Sequence, residues 1–166
     1  MSAGTTHVKA SVILATGFGM GALLSGNKEV LFCSAGALTG ILLSGDLDVD
    51  AGNISNKIVR KRVGWIGERL WRWFWRPYAS SFKHGKFASH FPVYSTFMRL
   101  AYIYFVGIVP FYLVYSLIGY LPNFKVDLMY ELYYWVRVLL HFPFFYGLAS
   151  SDLIHYILDI STKNVD

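Results

Sequence analysis

The chain has 166 residues, enough for one domain, and it is 55% hydrophobic, 18% aromatic and only 15% charged. Soluble domains usually carry about 25% charged residues, so the deficit indicates contact with lipid or an unusually large interface. The single cysteine, Cys33, excludes an internal disulfide and a thiolate metal cluster, and the net charge of +5 suits an anionic lipid or nucleic-acid surface.

Two apolar runs, residues 10–26 and 30–44, follow a short polar N-terminus and are predicted to form a pair of membrane helices. Each run is close to the lower length limit for crossing about 30 Å of hydrocarbon. Both runs contain a Gly-x-x-x-Gly spacing, which lets membrane helices approach closely. The glycines are Gly17, Gly21, Gly36 and Gly40. A buried pair of helices in a soluble protein is the alternative interpretation of these runs.

A polar connection, residues 45–98, separates this pair from the rest of the chain. Residues 65–76 interleave tryptophan with arginine at helical spacing, which is typical of an amphipathic helix lying in the membrane interface. Stacking on single-stranded nucleic acid is the rival interpretation. We expect lipid, and no nucleic acid, as the partner. Pro77 is predicted to end this helix.

Two further apolar segments, residues 99–121 and 128–149, complete the predicted architecture. Pro110 is predicted to kink the first of them. Polar residues interrupt the second, so they must face protein or the interface if the segment crosses the membrane. The predicted fold class is therefore all-α, a four-helix integral membrane bundle with an amphipathic interfacial helix, in a single membrane domain of residues 1–166.

The distribution of basic residues predicts the orientation of this bundle. Ten of the fifteen lysines and arginines lie between residues 51 and 99, and the positive-inside rule places such a loop in the cytoplasm. With two spans before the loop and two after it, both termini are predicted to be cytoplasmic, in an inner or plasma membrane.

Candidate metal ligands lie at the cytoplasmic end of every predicted span. They are His7, Asp46, Asp48, His84, His90, His155 and Asp159. Mixed imidazole and carboxylate ligands suit a divalent ion, with zinc expected and manganese or iron as alternatives. Taken singly, each has an ordinary structural reading, such as a turn aspartate or a core histidine. Asp152 is assigned to orient a ligand histidine or to act as a base, and Lys86 to hold an anionic substrate group.

These residues resemble the motifs of a prokaryotic family of uncharacterised metal-binding membrane proteins, which is similar to YdjM-like membrane-bound metal-dependent hydrolases. The family pattern has an N-terminal histidine, a Ser-Pro-Asp-Leu-Asp motif, a His-Arg-Gly-x-Ser/Thr-His motif and a late helix with histidine and aspartate. Residues 44–48 read Ser-Gly-Asp-Leu-Asp, with glycine for proline. The family places four residues between the paired histidines, whereas His84 and His90 are separated by five, and the arginine is absent.

The resemblance implies a metal-dependent hydrolase, and the ligand set is compatible with a phosphoester substrate. The second hypothesis is a non-enzymatic small subunit of a larger membrane assembly, in which a structural metal joins the helix ends and other membrane-protein subunits are the partners. The third is metal transport, handling or sensing, which requires a polar path across the spans.

Overall fold

The computed structural model describes residues 4–43, 47, 53–81, 91–118 and 127–163. Within these ranges the chain is helical and contains no strand, which confirms the all-α prediction. The helices are α1 (Gly4–Ser25), α2 (Glu29–Thr39), α3 (Ile54–Ser81), α4 (Pro92–Tyr102), α5 (Val109–Ile118), α6 (Leu128–Leu139) and α7 (Phe142–Lys163), with a π-helical segment (Ile103–Ile108) between α4 and α5.

Two helical stretches are long and apolar enough to cross a membrane, Thr5–Ser25 and Pro92–Tyr115. They overlap the first and third predicted spans, residues 10–26 and 99–121, and begin five and seven residues earlier. Helix α2 is apolar but has only 11 residues, and the chain turns at residues 40–42 instead of continuing the helix. Helix length and composition therefore identify two candidate spans within the described residues, and not four.

The fourth predicted segment, residues 128–149, is divided between two helices. Helix α6 ends at Leu139, and α7 begins at Phe142. Pro143 explains the division, because proline lacks a backbone N–H and restricts the preceding residue, yet fits the first turn of a helix. The second helix then continues to Lys163, well beyond the predicted span.

Helix α3 is longer than the predicted interfacial helix, and Pro77 does not end it. The helix runs through Pro77 to Ser81, where the hydroxyls of Ser80 and Ser81 donate to the Pro77 carbonyl oxygen at 2.9 and 2.8 Å. The bend lies instead at Gly64, whose φ of 90° is in a region that glycine adopts without a steric penalty. The helix therefore has two arms, on either side of Gly64.

Where a kink is predicted at Pro110, a π-helical segment ends two residues before the proline. Proline has no N–H to donate, so a carbonyl oxygen one turn earlier loses its usual hydrogen-bond partner. A wider turn there accommodates the missing bond. The α4–α5 stretch thus stays continuous through Pro110.

Helices α2 and α7 run parallel and approach at backbone distance through glycine. A Cβ on Gly36 would stand 2.1 Å from the Phe144 carbonyl oxygen, and one on Gly147 would stand 2.0 Å from the Cys33 carbonyl oxygen. The Gly36/Gly40 spacing therefore serves the contact with α7 and not the predicted contact with α1. A Cβ on Gly17 would meet no atom within 4 Å.

The second arm of α3 packs on α4 through aromatic rings. The Trp75 and Tyr102 rings stack with centroids 5.3 Å apart, and Tyr78 meets both rings edge-on. The Tyr102 hydroxyl donates a hydrogen bond to the Phe74 carbonyl oxygen. Leu100 and Leu148 join the same buried cluster, so the apolar core lies beside the polar ends of α1, α4 and α7.

Candidate metal centre

Three of the predicted ligands meet where α1 begins and α7 ends. His7 Nε2 lies 3.3 Å from Asp159 Oδ1, and His155 Nε2 lies 3.2 Å from Asp159 Oδ2. The two imidazole rings stack with centroids 3.8 Å apart. His7, His155 and Asp159 are only 7%, 6% and 8% exposed. The two histidines thus contact different oxygens of the same buried carboxylate.

Helical spacing and a polar contact between helices build this arrangement. His155 and Asp159 are four residues apart on α7 and so share a face. One turn from the histidines, the Ser11 and Ser151 hydroxyls are 2.7 Å apart and buried. Since Ser11 follows His7 by four residues and Ser151 precedes His155 by four, this contact sets the register of the antiparallel pair α1 and α7.

The end of α2 closes the site from a third side. A Cβ on Gly40 would stand 2.3 Å from Ser151 Oγ, so only glycine lets α2 approach there. A narrow cavity adjoins the cluster, and it brings together side chains from four helix ends. Its lining includes His7, Ser11, Gly40, Ile54, Asp152 and His155.

Asp152, the predicted base or orienting residue, is engaged by α4. Its Oδ2 atom accepts hydrogen bonds from the Thr96 hydroxyl and from Arg99 Nη2. Arg99 is 1% exposed and Asp152 is 5% exposed. Burial raises the pKa of the Asp152 carboxyl above its ordinary value, while the Arg99 guanidinium and the Thr96 hydroxyl act in the opposite direction on that pKa.

Arg99 and Thr96 are polar residues of the site that sequence reasoning missed. Neither residue is predicted from the sequence as a site residue, although Arg99 is among the basic residues of the loop. A usable signal existed, because Ser95, Thr96 and Arg99 form one polar face at the start of an otherwise apolar helix. The Arg99 Nε atom also donates to the Ser95 carbonyl oxygen at 3.2 Å, which holds the side chain along its own helix.

The remaining predicted site residues lie outside the part of the chain that the structure describes. They are Asp46, Asp48, His84, Lys86 and His90. Two described residues are sequence neighbours of these positions, and both are buried. Leu47 stands between the two aspartates in the sequence, and Pro92 follows His90 by two residues.

The donor set fits a divalent metal ion. His7, His155 and Asp159 each offer a ligand atom, and these atoms lie within 4.8 Å of one another. Ligands about 2.1 Å from a tetrahedral ion are roughly 3.4 Å apart, close to the histidine–carboxylate separations described above. Two imidazoles and one carboxylate are also ligands that zinc, manganese and iron accept.

Comparison with known families agrees with this chemistry. The profile of the family described as uncharacterized metal-binding protein (DUF2227) matches residues 2–166. The chain belongs to this family. No curated protein and no solved structure matches the chain significantly. Membership of the DUF2227 family supports metal binding, and the His7–His155–Asp159 cluster is where the described residues offer the ligands.

Proposed function

We propose that this DUF2227 protein is a membrane-bound metal-dependent hydrolase that acts on phosphoesters, with its metal site at the cytoplasmic face of the membrane. The observation that carries the proposal is the composition of the buried cluster. Two histidines and one carboxylate are a donor set of catalytic zinc sites, which keep one position for water or substrate, whereas structural zinc sites are mostly closed and rich in cysteine.

His7, His155 and Asp159 would hold the ion, with zinc expected and manganese or iron as alternatives. Asp46, Asp48, His84 and His90 are proposed to complete one or two ion sites. A bound ion would supply Lewis acidity and a water molecule of lowered pKa for attack on the ester.

The other residues would position the reacting groups. Lys86 would bind the anionic phosphoryl group. Of the two roles considered for Asp152, orientation is favoured, because Thr96 and Arg99 already engage its Oδ2 atom. By fixing α7 against α4, Asp152 would hold His155, three residues further along, in its place.

Membrane insertion is supported by the exposed apolar surface of the candidate spans. Only 17% of the apolar stretch in Thr5–Ser25 and 11% of that in Pro92–Tyr115 are buried within the protein. Lipid would cover the remainder at low cost, whereas water would not. We propose that residues 30–44 and 128–149 also insert, giving the four-helix bundle with both termini in the cytoplasm.

Hydrolysis of a phosphoester reporter by the detergent-purified chain tests this function. Asp159→Asn should lower the rate at least 100-fold, because the carboxylate that both histidines contact is lost. A chelator should abolish the rate of the unmodified protein, and return of the metal should restore it. His141→Ala is the matched control, since His141 pairs with Glu29 away from the cluster. Equal hydrolysis by Asp159→Asn and by the unmodified protein would contradict the proposal.

A structural metal in a subunit of a larger membrane assembly is the second candidate. It is favoured by the burial of all three ligands and by their origin on the first and last described helices, α1 and α7. Under this alternative, metal removal lowers the melting temperature of the protein and no metal-dependent hydrolysis of the reporter is found.

A further inference from the structure

The two arms of α3 enclose an open groove that is separate from the candidate metal ligands His7, His155 and Asp159, here called the metal cluster. Its lining is dominated by arginine and tryptophan, and none of the lining residues belongs to the metal cluster. The lining residues are Arg60, Trp65, Glu68, Arg69, Leu70, Arg72, Trp73 and Arg76. Arg60 comes from the first arm and the others from the second, so the bend at Gly64 creates the groove.

The charge of the groove is strongly positive. Four arginines line it against one acidic residue, Glu68, whose Oε2 atom lies 3.5 Å from Arg60 Nη1. That contact offsets the Arg60 charge and bridges the bend. Arg69 and Arg76 are exposed at the groove. An anionic group is the ligand that such a surface complements, and guanidinium groups match phosphate geometry in particular.

The tryptophans at the groove indicate where the anionic group comes from. Trp65 and Trp73 are 63% and 74% exposed, which is unfavourable in water but typical of the boundary between headgroups and hydrocarbon. The second arm of α3 contacts α4 at Tyr102. Tyr102 is the fourth residue of the proposed span 99–121, close to the end where that span begins. The groove would therefore lie at the level of lipid headgroups.

We propose that this groove binds the phosphate headgroup of an anionic phospholipid, with the arginines contacting the phosphate and Trp65 and Trp73 lying among the upper acyl chains. The proposal rests on the membrane placement in the proposed function and not on its metal chemistry. A single-stranded nucleic acid fits the charge and the rings, but it does not explain why the same molecule exposes the apolar surfaces of α1 and α4–α5.

Lipid titration of the full chain in detergent micelles tests the site. Short-chain phosphatidylglycerol, short-chain phosphatidylcholine and inorganic phosphate are added separately, and binding is followed by tryptophan fluorescence. Phosphatidylglycerol should bind saturably, and far more tightly than the other two ligands. Each arginine near an anionic lipid surface contributes roughly a five-fold change in affinity, so Arg69→Gln with Arg76→Gln should weaken binding about 25-fold.

Arg62→Gln is the matched control, because Arg62 is exposed on the same helix and does not line the groove. It should bind phosphatidylglycerol as the unmodified protein does. Equal affinity for phosphatidylcholine, equal affinity for inorganic phosphate, or no effect of the double variant would overturn the proposal. Tight binding of a single-stranded oligonucleotide through the same arginines, without lipid binding, would overturn it as well.

Metal content separates this result from the proposed hydrolase. The Arg69→Gln, Arg76→Gln variant should retain the metal of the unmodified protein, because neither arginine touches the cluster. Loss of lipid binding with metal retained supports the groove. Unchanged phosphatidylglycerol binding by the variant overturns the groove whether or not the protein hydrolyses a phosphoester.

Discussion

Arg99 and Asp152 place opposite charges in the interior, beside the His7–His155–Asp159 cluster. Removing two charges from water costs several kcal/mol for each ion, and only close, well hydrogen-bonded partners offset that cost. Here Thr96 and the Ser95 backbone supply additional hydrogen bonds. The pair therefore links α4 to α7, and we expect its net contribution to stability to be small.

Removing one partner of this pair should be far more damaging than removing both. Arg99→Met leaves a buried carboxylate without its counterion, so the free energy of unfolding should fall by about 3–5 kcal/mol. The double variant Arg99→Met, Asp152→Leu should recover most of that loss. Unfolding in micelles, followed by circular dichroism, measures both. A double variant that is as unstable as Arg99→Met would show that the charges are not coupled.

Spacing within one helix was predictable at the residue scale, and contacts between helices were not. His155 and Asp159 share a face of α7, as their separation of four residues implies. The partner of Asp152 lies 53 residues away in sequence, on another helix. No local pattern connects two such residues, so the sequence predicts Asp152 as an orienting residue or a base and does not predict its ion pair.

At the scale of the element, glycine decides which helices approach closely. Gly36 and Gly147 bring the backbones of α2 and α7 into direct contact, while Gly17 on α1 faces open space. A Gly-x-x-x-Gly spacing identifies helices that can approach closely, but it does not identify the partner helix.

Alanine substitutions should separate these glycines. Gly36→Ala would place a methyl group against the Phe144 carbonyl oxygen, which is rigid backbone, and should destabilise the fold by at least about 1–3 kcal/mol. Gly17→Ala is the matched control and should leave the melting temperature unchanged or slightly raised, since alanine favours the helix. Equal melting temperatures for the two variants would contradict the close approach of α2 and α7.

Proline shows how position within an element changes its effect. Pro77 is predicted to end α3, yet the helix continues for four more residues, and the Ser80 and Ser81 hydroxyls bond the Pro77 carbonyl oxygen. Pro143 has the opposite consequence, because it starts α7 and separates it from α6. Apolar composition alone runs continuously through both positions, so the helix boundaries could not be read from it.

At the scale of the whole molecule, three of the described helix ends bring polar residues together. The starts of α1 and α4 meet the end of α7 there. The predicted topology puts these ends on one face because two spans precede the basic loop and two follow it. The cytoplasmic placement of this face is part of the proposed function.

Cysteine labelling tests the orientation. Asn27→Cys and Asn123→Cys, each in a Cys33→Ala background, should react with an impermeant reagent added from outside the cell. Both positions lie at the turns between paired spans in the proposed topology. Ser2→Cys is the matched control and should react only after the cytoplasm is made accessible. Labelling of positions 27 and 123 only from the cytoplasm would contradict the orientation.

Metal analysis of the purified protein tests the central claim most directly. The unmodified chain, purified without chelators, should retain about one or two divalent ions. His155→Ala and Asp159→Asn should each retain at least about ten-fold less metal, because even the loss of a group that only supports a ligand lowers metal affinity by about 10–100-fold. His141→Ala should match the unmodified chain. Unaltered metal content in His155→Ala and Asp159→Asn would contradict a metal centre at this cluster.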